Sequence, residues 1–158
     1  MQLLEKRFLF FLVALFVFVL DQFTKYLIKS NVSLYETINV LPFFNIVYVK
    51  NFGAAFGMFK DLGATFFIII GLAAIIFVSV LIIKDISNGL AYSFILGGAA
   101  GNTTDRIIHG FVIDFLDFYI YKYHWPAFNV ADMALTAGVF LLIVKMWFIS
   151  SSGKDSKE

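Results

Sequence analysis

Four long apolar stretches divide the chain, and the polar residues between them are unevenly placed. The stretches cover 8–28, 64–83, 90–108 and 131–148. Each approaches the roughly 20 mostly apolar residues that cross a hydrocarbon core about 30 Å thick. The pattern predicts a mainly α, integral membrane fold with four transmembrane helices. Between the first two stretches, 38–49 is rich in β-branched and aromatic residues, which predicts a small sheet lying on the bilayer surface. Gly53, Ala54 and Ala55 then permit close backbone approach, and Phe56, Gly57, Met58 and Phe59 are expected to dip into the interface. A second stretch of the same kind, 111–123, carries Asp114 among aromatics. Tyr119, Tyr121, Tyr123 and Trp125 suit the headgroup zone.

Numbered in order, the spans put the end of the first, the whole first loop, the end of the third and the start of the fourth on one side of the membrane. Nearly all the unusual polar residues fall there: Asp21, Lys25, Asn51, Asn102, Asp105, Arg106, Asp114, Asn129 and Asp132. The other side holds the N-terminus, the short turn 84–89 and the tail. The chain therefore has one functional face. Lysine and arginine do not orient it. Lys6, Arg7, Lys84, Lys145, Lys154 and Lys157 lie on the plain side, against Lys25, Lys29, Lys50, Lys60, Arg106 and Lys122 on the polar side.

Composition agrees with the pattern. Hydrophobic residues make up 61% of 158 and charged residues 15%, with a mean hydropathy of +0.88, values of the integral-membrane class. Four spans leave little chain for a soluble domain, so residues 1–158 are expected to form a single membrane-embedded helical bundle. Lys6-Arg7 followed by an apolar run imitates a secretory signal peptide. Bulky Asp21-Gln22-Phe23 stands where small cleavage-site residues are needed, however, and an uncleaved first span is expected. The absence of cysteine rules out a disulfide frame and a thiol nucleophile. A net charge of +1 without a basic cluster gives no reason to expect a nucleic-acid partner.

Asp114 is the residue hardest to explain structurally. It sits between Val112-Ile113 and Phe115-Leu116, and a carboxylate among apolar neighbours at membrane depth carries a large desolvation cost unless partnered. Asp132 is the expected partner, because the short intervening segment returns the chain to the same membrane level. Two carboxyls held close cannot both ionise easily, so one keeps a proton and the other stays charged. That arrangement suits activation of a water by one group and proton donation by the other.

The other polar residues have structural readings beside functional ones. Asp21 and Lys25, at i and i+4 with the acid first, form a favourable helical ion pair that ends a span. Asn102, Asp105 and Arg106 share a helix face, and Gly97, Gly98 and Gly101 let a neighbouring helix pack close to it. An Arg–Asp clamp holding the loop is the reading favoured for Arg106. Asn129 and Asp132 also fit a helix cap followed by an acid three residues on. Asp117, three residues after Asp114, reads as a looser partner or as a solvated loop acid, and the second reading is favoured.

Other chemistries find little support. His109 and His124 are the only histidines, no His-Glu-x-x-His is present, and no metal or other cofactor is expected. Neither a Gly-x-Ser-x-Gly elbow nor a Walker loop occurs. Water activation by paired acids remains.

Five segments, taken in order, resemble the motifs of the bacterial lipoprotein signal peptidases, or signal peptidase II, a family of intramembrane aspartic proteases. They are Asp21-Gln22-Phe23-Thr24-Lys25, Asn51-Phe52-Gly53-Ala54-Ala55-Phe56, the run from Gly98 to Arg106, Val112-Ile113-Asp114-Phe115 and Phe128-Asn129-Val130-Ala131-Asp132. The resemblance implies that Asp114 and Asp132 are the catalytic dyad. It implies that Asn51, Gly53, Asn102, Asp105, Arg106 and Asn129 line or brace the site, with Asp21 and Lys25 as structural support. It further implies an endopeptidase acting on diacylglyceryl-modified prolipoproteins, cutting just before the lipidated cysteine. The location implied is a bacterial inner membrane, with both termini cytoplasmic and both site and sheet platform outside. A monomer surrounded by membrane lipids is the expected state. The rival from another class is a small carrier or proton-conducting protein, which needs polar stations at several depths, whereas here the acids gather at one end. A binding or assembly partner without chemistry is a third reading.

Overall fold

A computed structural model describes residues 1–53 and 59–152. Helix α1 (Gln2–Asn31) leads to strands β1 (Thr37–Leu41) and β2 (Phe44–Asn51). Then follow α2 (Gly63–Lys84), α3 (Gly89–His109), β3 (Val112–Ile120), the two-residue strand β4 (Tyr123–His124) and α4 (Val130–Ser152). The strands form an antiparallel sheet in the order β1-β2-β3-β4. Both stretches expected to be strands from their composition thus join one sheet. Ala54 to Met58, assigned above to close approach and interface insertion, lie outside the described residues.

Each expected span corresponds to a helix. By length and apolarity alone, two helices qualify to cross a membrane: Gly63–Lys84, with mean hydropathy 3.2, and Val130–Phe148, with 1.7. In α2 only Val78 and Ile82 are buried, while Ile69, Ile70, Ile76 and Phe77 are more than half exposed. Apolar residues that point outward along a whole helix suit a lipid solvent and not water.

Helix α3 packs against each of the other three helices, and its glycines explain how. A Cβ on Gly97 would sit 2.6 Å from the Ala14 carbonyl oxygen of α1, and one on Gly98 would sit 2.5 Å from the Ala131 carbonyl oxygen of α4. Backbones meet at distances no larger side chain permits. One core, built on Ala14, Val78, Ile82, Tyr92 and Leu96, fills the plain half of the bundle. A second, built on Ile28, Val32, Tyr48, Ile113 and Phe115, seats the sheet on the bundle end.

Helix α3 stops at Gly110, whose φ of 79° closes the last turn with an N–H bond to the Arg106 carbonyl. The chain reverses at once into β3. Its return passes Phe128, which exchanges backbone bonds with Leu116 at 3.1 and 2.9 Å before α4 begins. Asp114 on β3 and Asp132 in the first turn of α4 thereby come to one level.

Helix α1 contains the expected 8–28 and runs on to Asn31, with Asp21 fully buried and Lys25 2% exposed. One expectation is corrected here. Asp117 is no solvated loop acid. It is a buried β3 residue that accepts Asn45 Nδ2 at 2.8 Å across the sheet and lies 2.9 Å from His124 Nδ1. Pairing of Asn45 with Asp117 in the β2–β3 register sets this contact.

Candidate functional site

Asp114 and Asp132 sit in a cradle of asparagine amides. Asn129 donates from Nδ2 to Asp114 Oδ1 at 2.7 Å, and Asn51 donates from Nδ2 to Asp114 Oδ2 at 2.9 Å. On the other acid, Asn102 donates from Nδ2 to Asp132 Oδ1 at 2.7 Å, and the Asn129 backbone N–H reaches Asp132 Oδ2 at 3.3 Å. Every carboxyl oxygen of the two acids therefore has a donor. Asn129 touches both acids and is itself fully buried.

The capping reading of Asn129 and Asp132 also holds. Asn129 Oδ1 accepts the Asp132 N–H at 2.9 Å while Asp132 accepts the Asn129 N–H, which is the reciprocal bonding of a capping box. Capping fixes both side chains at the helix start and leaves Asn129 Nδ2 to donate to Asp114.

The two acids differ in environment. Asp114 is 2% exposed, whereas Asp132 is half-buried. Burial first, and the nearby Asp132 charge second, push the Asp114 carboxyl up from 3.8 to about 7, against the lowering effect of the Asn51 and Asn129 bonds. Asp114 is thus set up to hold a proton near neutrality.

Behind the acids lies a second polar cluster, closed to solvent. Lys25 Nζ reaches Asp21 Oδ2 at 2.8 Å, Asp105 Oδ2 at 3.0 Å and Asn102 Oδ1 at 3.1 Å, which uses all three ammonium hydrogens. Asp21 Oδ1 accepts the Ala131 N–H at 2.8 Å, and Asp105 Oδ2 accepts the Ile113 N–H at 3.0 Å. These bonds tie α1 and α3 to the residue before Asp132 and the residue before Asp114. Among the described residues the expected Arg–Asp clamp takes no ion-paired form, since Lys25 occupies the adjacent Asp105. Arg106 instead donates to the Gly53 carbonyl at 2.7 Å and the Asn102 carbonyl at 3.3 Å. Gly53 is buried, and its N–H bonds to Asn51 Oδ1 at 3.0 Å. Arg106 thus holds the loop that presents Asn51 to Asp114.

Comparison with known proteins decides the family. A model of signal peptidase (SPase) II matches residues 13–148. This chain belongs to the signal peptidase II family. The lipoprotein signal peptidase of Alteromonas mediterranea is 44% identical, over 94% of this chain and 85% of that one. That of Thermodesulfovibrio yellowstonii is 49% identical, over 82% and 88%. A bacterial membrane enzyme solved by the in meso method superposes with a TM-score of 0.82 at 39% identity, covering 93% of this chain and 92% of that one.

In this member of the signal peptidase II family, all ten residues singled out in the sequence lie in the two linked clusters. Gln22 was overlooked. Its Nε2 donates to Asp105 Oδ1 at 3.0 Å and lies within 3.3 Å of the Gly101 carbonyl, so it cross-links α1 to α3 beside Lys25. The signal was present, since Gln22 shares the polar break of Asp21 and Lys25. The sheet network of Asn39, Asn45, Asp117, Tyr119 and His124 was also missed, because it depends on a strand register that composition does not encode.

A pH dependence follows from Asp114. Its folded value lies above the unfolded one, so the native state binds the extra proton between pH 3.8 and about 7, and stability falls as pH rises through that window. Activity that needs the protonated acid is expected to decline above about pH 7. Asn51→Ala removes a donor that favours the ionised form, so the alkaline limb of a kcat/KM profile should move upward. A limb that stays in place or moves down would disconnect it from Asp114.

Proposed function

We propose that this chain is a membrane-embedded aspartic endopeptidase in which Asp114 and Asp132 are the catalytic pair. Membership of the signal peptidase II family makes it a hydrolase that removes signal peptides from prolipoproteins in a bacterial membrane. The observation that carries the catalytic assignment is the shared Asn129, which bonds one carboxyl that is buried and another that is half open.

In this reading Asp114 holds the proton and Asp132 is ionised. Asp132 takes a proton from a water as its oxygen adds to the scissile carbonyl carbon, and Asp114 gives its proton to the carbonyl oxygen. On collapse the C–N bond breaks, the leaving nitrogen takes the proton from Asp132, and Asp114 recovers one from the diol. The asparagine donors keep both carboxyls oriented throughout. Asn51, Gly53, Asn102, Arg106 and Asn129 shape the site, while Asp21, Lys25 and Asp105 brace it from behind. The acids and their donors come from a single chain, which supports a monomeric enzyme.

Residues 1–158 act in this reading as one unit with four spans, both termini cytoplasmic and the sheet on the outer surface. Support comes from the outward apolar faces of α1 and α4 as well as α2: Phe8, Leu15 and Phe16 on the first, Phe140, Ile143 and Met146 on the second. The substrate is a prolipoprotein whose cysteine carries diacylglycerol. Purified enzyme in lipid is expected to cut a lipidated prolipoprotein just before that cysteine and to leave the unlipidated form intact. Equal cleavage of both would remove the lipid requirement, and cleavage of neither would remove the function.

A further inference from the structure

Two cavities lie along the groove between α1 and α3, and neither is lined by Asp114 or Asp132. The first, of about 290 Å³, is apolar and lies against Phe11, Leu15, Phe18, Leu96, Ala100 and Thr104. The second, of about 250 Å³, lies against Gln22, Tyr26, Lys29 and His109, with the Lys25–Asp105 pair as its floor. Phe11, Leu15, Phe18, Gln22, Tyr26 and Lys29 recur at three- and four-residue steps, so they form one face of α1. On α3, Thr104 at the top of the apolar cavity immediately precedes Asp105 in the polar one. The two cavities are therefore consecutive sections of one groove.

The helices run side by side in the same direction. Asp21 meets Gly101, and Lys25 meets Asp105, a constant offset that sets Lys29 opposite His109 at the mouth. The His109 ring stacks on Phe111 at 5.7 Å, and Lys50 Nζ lies 4.8 Å over that same Phe111 ring. The only acid on the lining, Asp105, is 2% exposed and already paired with Lys25. The mouth thus presents Lys29, His109 and the nearby Lys50 without an opposing free carboxylate among its lining residues. From Lys29 down to Phe18 is 11 residues, about 16 Å of helix, close to the thickness of one leaflet of a core of about 30 Å.

We propose that this groove binds one anionic phospholipid, with the phosphate at Lys29 and His109 and an acyl chain lying down the α1–α3 seam to Leu15. The proposal rests on the membrane placement of α1 and α3 given above. Cationic donors at headgroup level attract anionic lipid, and the apolar section below takes a chain that a soluble anion lacks. The lipid would fill the groove beside Ala100, outside the close α1–α3 contact at Gly97, and it would do so against the outer surface of the buried Lys25 cluster.

The test uses the full chain in detergent, with native mass spectrometry after addition of phosphatidylglycerol, phosphatidylcholine or inorganic phosphate alone. One phosphatidylglycerol should be retained per chain, with phosphatidylcholine retained far less and phosphate not at all. Lys29→Gln combined with His109→Gln should weaken phosphatidylglycerol retention about tenfold, as expected for a lost charged hydrogen bond, with an unchanged Tm. Ala100→Leu, which fills the apolar section, should weaken retention of both lipids. Equal retention by the double variant, equal retention of the two lipids, or binding of phosphate alone would overturn the proposal. So would capture of a prolipoprotein signal peptide, in place of lipid, by a photo-crosslinker at position 15. Labelling of a Leu15→Cys variant by a water-soluble reagent in vesicles would instead remove the membrane placement of α1.

Discussion

Asp132→Asn and Asp114→Asn are each expected to reduce cleavage of a lipidated prolipoprotein on the order of 10²–10⁴-fold, the range supplied by a positioned acid or base. Both changes keep the shape of the side chain, so folding and membrane insertion should survive. At position 132 the amide cannot take a proton from water. At position 114 it cannot supply the carboxylic proton that burial retains there. The two losses should not multiply in the double variant, because each step of the reaction needs both groups. Turnover near the wild-type rate in either purified, folded variant would remove the pair from the mechanism.

Lys25→Met is the second large expectation, and it concerns stability. The ammonium is 2% exposed and balances two buried carboxylates, Asp21 and Asp105, while orienting Asn102. Removing one partner from a buried ionic cluster costs about 3–5 kcal/mol, since the remaining charges stay without compensation. A marked fall in Tm and in the yield of detergent-soluble protein is expected. Adding Asp105→Asn to Lys25→Met should recover part of the loss by removing one stranded charge. A Lys25→Met protein that is as stable as the parent would overturn the buried-cluster account. One that is stable yet inactive would move Lys25 into the catalytic machinery.

The relation between the clusters gives these expectations their order. Asn102 faces both ways, accepting from Lys25 at 3.1 Å and donating to Asp132 at 2.7 Å. An error in the buried cluster therefore reaches Asp132, and through it the proposed catalytic pair, by one rigid amide. The reverse path is weaker, because Asp114→Asn or Asp132→Asn strands no buried charge and costs only the one hydrogen bond at which the new amide NH2 meets a donor.

How much of this was legible in the chain depends on the kind of contact. Hydropathy reads the positions of α2 and α4 well, because lipid demands an unbroken apolar run of fixed length. It reads the first span as 8–28 but does not tell that the Asp21–Lys25 pair within it is buried, since a buried ion pair has the same composition as a solvated one. Asp114 stands out from its neighbours alone. Asp117, three residues later in an aromatic setting of the same kind, reads as exposed because its partners Asn45 and His124 arrive through strand register and a hairpin return.

Periodicity, polar breaks and the order of five short segments are local properties, and they were enough to locate the four long helices, the clustered polar residues and the family. Which acid is buried, that Asp105 belongs to Lys25 and not to Arg106, and that one asparagine joins both acids were decided by packing. Those facts depend on where α3 crosses its neighbours at Gly97, Gly98 and Gly101 and on the left-handed stop at Gly110. Distances between residues 80 or more positions apart are set by that close approach, and no stretch of sequence read by itself contains them.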